Sequence, residues 1–129
     1  MFGRSKKIPK VTTNAYELTY EFRDEGWNLR YKNISFYFPN HEIRLPETEE
    51  LDLYIKWIDS KKEHIDRCVA EMFEGWDVEI NKSAAHIAQV VIEKPGNIYV
   101  MVIGDDSWGD MGYDLWFIDG VIINEVAGD

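Results

Sequence analysis

Cysteine is almost missing from this chain. Cys68 is the only one in 129 residues, so no intrachain disulfide can form. A domain of this length buries roughly two-thirds of its unfolded surface and needs no disulfide or metal staple. Long apolar runs are missing too. None approaches the ~18 residues of a membrane-crossing helix. Met1–Lys10 has the charge of a signal-peptide start, but no apolar stretch follows it, so a cytoplasmic location is the default expectation. The familiar catalytic signatures do not occur. There is no H-E-x-x-H, C-x-x-C, G-x-S-x-G, G-x-G-x-x-G or phosphate-loop pattern, which argues against a zinc site and against the common nucleophile and nucleotide sites.

Positive charge is also unevenly missing. The formal net charge is -10, with 14 basic against 24 acidic residues. Arg4, Lys6, Lys7 and Lys10 are offset by no acid within the first ten residues, which leaves the rest of the chain at -14. From Pro95 to Asp129 there are seven acids and no Lys or Arg. Phosphate contacts need Lys and Arg, so this balance argues against nucleic acid and against anionic membranes as partners. A cationic partner is attracted and steered. Solubility alone is the competing reading of the same charge.

What is present is ample apolar material. The apolar fraction is 45% and the aromatic fraction 14%, enough for a packed core and too much for disorder. No repeat or linker divides the chain, so residues 1–129 read as one domain with a loose basic tail over 1–14. A short strand near Val11 is expected. Tyr16, Leu18, Tyr20 and Phe22 alternate with polar residues, as do Trp27, Leu29 and Tyr31. This period of two predicts a hairpin turning at Asp24-Glu25-Gly26, with Gly26 supplying any positive φ. The apolar phase then slips to Ile34, Phe36 and Phe38, which predicts a bulge or a second tight turn at Lys32-Asn33. Ile43 and Leu45 suggest a weak further strand.

Glu47–Phe73 carries the long helical pattern. Leu51, Tyr54, Ile55, Ile58, Ile65, Cys68, Val69, Met72 and Phe73 recur at spacings of three and four. A break near Asp59-Ser60 is an open alternative, and Gly75 is the expected C-cap. On this face Cys68 reads as a small core residue. Residues 81–90 are ambiguous between helix and strand; Pro95-Gly96-Asn97 favours a strand over His86–Lys94. The remaining runs, Ile98–Ile103, Tyr113–Ile118 and Val121–Val126, complete a meander of core strands. The expected class is α+β: an antiparallel sheet, made of N-terminal hairpin strands and a C-terminal meander, packed against one long amphipathic helix.

One segment is not explained by folding. The loop Gly104–Gly112 sets Asp105, Asp106 and Asp110 around Trp108, with Asp114 just beyond. The spacing does not match an EF-hand, so Ca²⁺ is the minor reading. A solvated turn is the bland one. An aromatic anchor ringed by carboxylates is how binding hot spots are built. Asp105, Asp106, Trp108, Asp110 and Asp114 are therefore the candidate partner-binding residues. No catalytic residue, metal ligand or cofactor is expected. His41, His64 and His86 form no ligand spacing. Tyr31, Phe36, Tyr37 and Phe38 lack the basic groove that base stacking requires, and read as sheet core with Tyr37 on the outer face.

The helical stretch from Arg44 to Phe73, with Trp57 inside it, and the closing GYDLWFIDGVIINEV resemble small acidic bacterial domains of uncharacterised function of the DUF2262, DUF2004 and DUF6985 type. Some such domains are immunity proteins of polymorphic or contact-dependent toxin systems. The resemblance implies a cytoplasmic, non-enzymatic binding protein that blocks a cognate toxin domain, often a basic nuclease. Two other functions stand beside it. One is an enzyme of small-molecule or glycan metabolism using carboxylates in a cleft. The other is a structural or homo-oligomeric module joined through a sheet edge or an aromatic face.

Overall fold

The computed structural model describes residues 10–12, 16–21, 25–39, 46–76 and 79–128. Eight strands form one sheet and lie in it in chain order: β1 (Lys10–Thr12), β2 (Glu17–Glu21), β3 (Gly26–Tyr31), β4 (Ile34–Pro39), β5 (His86–Lys94), β6 (Asn97–Ile103), β7 (Gly112–Ile118) and β8 (Val121–Gly128). One helix, α1 (Thr48–Met72), lies in the chain between β4 and β5. The fold is α+β, as expected. The N-terminal hairpins and the C-terminal meander turn out to be halves of a single sheet. They join where β4 and β5 run parallel, with Phe36 opposite Val90; the other neighbouring pairs are antiparallel. A parallel pair cannot be closed by a tight turn and needs a crossover, which α1 supplies.

The alternating residues of the sequence set the two faces of the sheet. Leu18, Trp27, Leu29, Phe36, Phe38, Val90, Val100, Leu115 and Phe117 are buried in one core. Leu51, Ile55, Ile58, Ile65 and Val69 of α1 belong to the same core. Edge-to-face aromatic pairs fix the approach: Phe38 on Tyr54 at 5.7 Å and Trp57 on Phe117 at 5.0 Å between ring centroids. The Tyr16 hydroxyl donates to the Asp52 carboxylate. That bond, with burial, pushes the Tyr16 phenol up to about 12. Lys61 Nζ donates to the Gly120 carbonyl at 3.3 Å and ties the helix to the β7–β8 turn.

α1 is continuous through Asp59-Ser60. Ser60 Oγ donates to the Trp57 carbonyl at 2.6 Å, which satisfies its hydroxyl inside the helix instead of ending it. Glu49 and Glu50 occupy the first turn, where the helix dipole favours them. The C-cap is Phe73, and Gly75 follows at φ +80°.

The phase slip after Tyr31 is a two-residue turn. Lys32 and Asn33 take φ 48° and 66°, and Tyr31 pairs with Ile34 across it. The positive φ values match the twist of the flanking strands, as hairpin turns require. Asp119 and Gly120 do the same between β7 and β8, at φ 50° and 82°. The expected role of Gly26 is corrected. Glu25 carries the positive φ, at 53°. Gly26 is needed because a Cβ there would lie 2.6 Å from the Phe38 carbonyl oxygen and 2.8 Å from the Tyr37 ring. The ambiguous stretch after Asn81 contains a short 3-10 turn, Lys82–Ala84, and then β5. The strand expected around Ile43 and Leu45 lies outside the described residues, as does most of the basic tail. Among the described residues no helix is long and apolar enough to cross a membrane.

One expectation about the meander is also corrected. β6 and β7 are core strands, but β8 is the edge of the sheet. Ile122 and Ala127 pack against the core, while Val121, Ile123 and Val126 are 64%, 59% and 49% exposed.

Candidate functional site

The five candidate residues divide between four environments. The loop between β6 and β7 contains a single 3-10 turn, Asp106–Trp108. Its central side chain, Trp108, is buried at 1% exposure. The reading of Trp108 as a surface anchor is therefore corrected. Its ring packs edge-to-face on Phe73 at 4.9 Å, and its indole N–H donates to the Asn81 carbonyl at 2.9 Å. Phe73 in turn contacts Tyr113 of β7 and Trp76. The indole stacks so closely over the chain that a Cβ on Gly104 would fall 2.2 Å from the ring. Trp108 nails the loop to the end of α1 and so restrains a loop rich in Asp and Gly.

Asp105 is a structural cap. Its Oδ1 accepts from the Ser107 backbone N–H at 2.9 Å and from the Ser107 hydroxyl at 2.5 Å. Its Oδ2 accepts from Asn81 Nδ2 at 3.0 Å. The Asn81 backbone N–H closes the ring by donating to Ser107 Oγ at 2.9 Å. These donors, Ser107 first and then Asn81, hold the Asp105 carboxyl below the usual aspartate range. The direction suits a permanently ionised group and is opposite to that of a general acid.

Asp105, Asp106 and Asp110 are all exposed, and of these Asp105 alone has its side chain tied into the loop's hydrogen bonds among the described residues. Asp114 stands apart on β7, half-buried on the sheet face away from α1, where it accepts from the Tyr99 hydroxyl at 2.6 Å. Burial and that bond raise the Tyr99 phenol. Tyr99 also lies beside Trp116, with ring centroids 5.2 Å apart. The working surface of the loop is thus Asp106 and Asp110, held on a scaffold made by Asp105, Ser107, Trp108 and Asn81. Sequence reasoning missed Asn81, which lies more than twenty residues upstream. Gly104, four positions before a tryptophan, is the one local sign that the ring folds inward.

The catalytic alternative leans on a cleft between helix and sheet. A cleft of about 360 Å³ opens between the Lys32-Asn33 turn, α1 and the start of β5. It is lined by Lys32, Lys62 and His86 against one acid, Asp66, and not by the carboxylate pair that reading expects. Lys62 is held by Asp59 at 3.2 Å. Cys68 is half-buried, and burial, with Glu125 and Glu71 nearby, raises its thiol above the ordinary range, the direction of an unreactive cysteine. Among the described residues no three His, Cys, Asp or Glu side chains gather as a metal site would require.

Two outcomes follow from the loop. Gly104→Ala forces the indole to move, and overpacking of this kind costs about 1–3 kcal/mol; urea unfolding should show the loss, and an unchanged midpoint would contradict the packing described. Asp105 has a lowered folded pKa, so its contribution is complete above the ordinary value of 3.8 and is lost as pH falls through the lower, folded value. The Asn81 side-chain amide resonances should therefore follow the Asp105 titration in that acid window, and Ser107→Ala should move the midpoint up. A midpoint at the ordinary value in the native chain would contradict the cap.

Comparison with family models, with curated proteins and with solved structures finds no match to this chain.

Proposed function

We propose that this chain is a binding protein that neutralises a cationic toxin domain, an immunity protein acting by occlusion and without chemistry of its own. The observation that supports this reading most is the rigid acidic loop. Asp106 and Asp110 project from a turn whose backbone is fixed by Trp108 and by the Asp105–Ser107–Asn81 hydrogen bonds. A preformed charged surface binds without the entropic cost of ordering a loop at the moment of contact. The net charge of -10 extends the attraction beyond the contact itself. The helical and C-terminal segments resemble small acidic domains of uncharacterised function, some of them immunity proteins, which agrees with this reading. A basic nuclease domain fits both the charge and the mechanism, since covering its substrate groove is sufficient to silence it.

The test is co-expression with the product of the adjacent reading frame, followed by kinetics on the purified pair. The chain should restore growth. Association should slow by about tenfold or more between low and physiological salt, as steered encounters do. Asp106→Asn with Asp110→Asn should slow association and leave thermal stability unchanged, because neither carboxylate holds the loop. Asp105 is left intact, since its loss would disturb the loop itself. Association indifferent to both salt and the double substitution would remove the loop from the contact surface.

A further inference from the structure

The largest anomaly on the surface is at the other end of the meander. Ile118, Val121, Ile123 and Val126 are 43%, 64%, 59% and 49% exposed; the last three lie on the last strand and Ile118 ends the strand before it. β8 is the last strand of the sheet and pairs with β7 alone among the described residues. Its other side offers a row of unpaired backbone N–H and C=O groups to any extended chain. Natural edges are usually guarded by Lys, Pro, shortness, bulges or inward-pointing charges, and of these β8 carries one bulge and one helix-side carboxylate, Glu125. Among the described residues the opposite edge is β1 (Lys10–Thr12). β8 is eight residues long and contains neither Lys nor Pro. Its single irregularity is at Ile123, the extra residue between the Trp116–Asn124 and Phe117–Ile122 pairs.

The two faces of this edge differ in chemistry. Val121 and Val126 stand opposite Ile118 and Asp114, on the side away from α1, where Tyr99 and Trp116 continue a half-exposed apolar surface. Glu125 stands opposite buried Leu115, on the helix side, and accepts from the Tyr113 hydroxyl at 3.0 Å. A strand laid against β8 therefore meets Val121, Asn124 and Val126 on one face, and on the other the single carboxylate of Glu125 between Ile122 and Ala127. β6, β7, β8 and their connecting loops contain no Lys, Arg or His. A second copy of this chain would bring a second Glu125 and another net charge of -10 to the same place, and like charges directly opposed are unfavourable.

We infer that β8 is a docking edge for an extended strand of a basic protein, in which apolar residues alternate with Lys or Arg. The added strand continues the sheet by main-chain hydrogen bonds. Its apolar residues extend the row of Val121 and Val126, and its cations face Glu125. This partner deepens the toxin-binding reading and rests on it for the sign of the partner's charge. The edge is a surface separate from the acidic loop, so the two are testable apart.

The probe is a capped peptide of alternating lysine and valine, matched in length to β8 and titrated into the full chain with amide NMR and calorimetry. Resonances of residues 121–128 should shift saturably. A glutamate–valine peptide, and the lysine–valine peptide with a central proline, should bind about tenfold more weakly or not at all. Glu125→Lys should reverse the preference between the two charged peptides, and Val126→Lys should weaken the basic one; both positions are exposed, and the Asp105 loop remains as an internal control of folding. Shifts centred away from β8, equal binding of the two charged peptides, or an unchanged preference in Glu125→Lys would overturn the proposal. So would concentration-dependent dimerisation of the free chain through β8 in sedimentation, which would give the edge to a second copy. Growth protection without peptide binding would remove the edge and keep the toxin-binding reading; peptide binding without growth protection would do the reverse.

Discussion

Among the described residues a single helix covers a sheet of eight strands, and much of the molecule follows from that shortage. At 25 residues α1 is about 37 Å long, close to the ~34 Å width of eight strands. That suffices for one face, and among the described residues no second helix lies on the other. The covered face becomes the core, with Trp57 on Phe117 and Tyr54 on Phe38 as its contacts. The open face keeps polar residues such as Asn28, Arg30 and Gln89 near the middle of the sheet, and Tyr99, Met101 and Trp116 towards β7. At the β8 end the aliphatic residues are left in solvent.

The same shortage explains the loop after β6. The C-terminal end of α1 has to be closed against the sheet, and Phe73 alone does not fill that space. Trp108 fills it from the other side, held by Phe73, Gly104 and the Asn81 carbonyl. Burying the indole fixes a turn whose remaining side chains are acidic. Rigidity and charge thus share one origin: the residue that completes the core also presents Asp106 and Asp110 in fixed positions. In the proposed function, steering by the net charge would bring a cationic partner near, and a fixed turn and an open strand edge would need little reorganisation on contact.

Much of this was legible in the residues. Period-two alternation in Tyr16–Phe22 and Trp27–Tyr31 gave the hairpin, and the slip at Lys32-Asn33 gave its successor. The three- and four-residue spacing of Leu51, Ile55, Ile58, Ile65 and Val69 gave the helix. The parallel contact of β4 with β5 was not legible, because it joins strands some fifty residues apart and leaves no local pattern. Nor was the burial of Trp108. Flanking aspartates suggest solvent, and the contacts that override them come from Phe73 and Asn81, which are distant in the chain. The exposure of Val121, Ile123 and Val126 was hidden for a related reason. An apolar run reads the same in an edge strand as in a central one, and only the strand order distinguishes them. Composition located the acidic half correctly but could not divide its carboxylates into a cap (Asp105), exposed charges (Asp106 and Asp110) and a tyrosine acceptor (Asp114).

The free chain is expected to leave its β8 edge open. Native-state amide hydrogen exchange on the free, dilute protein tests it most directly. In β8 the amides bonded to β7 should exchange slowly, and the alternate, outward-facing ones should exchange as fast as solvent-exposed backbone, while β5, β6 and β7 are protected throughout. Uniform protection along 121–128, equal to that of β6, would mean that the edge is already covered and would contradict the account.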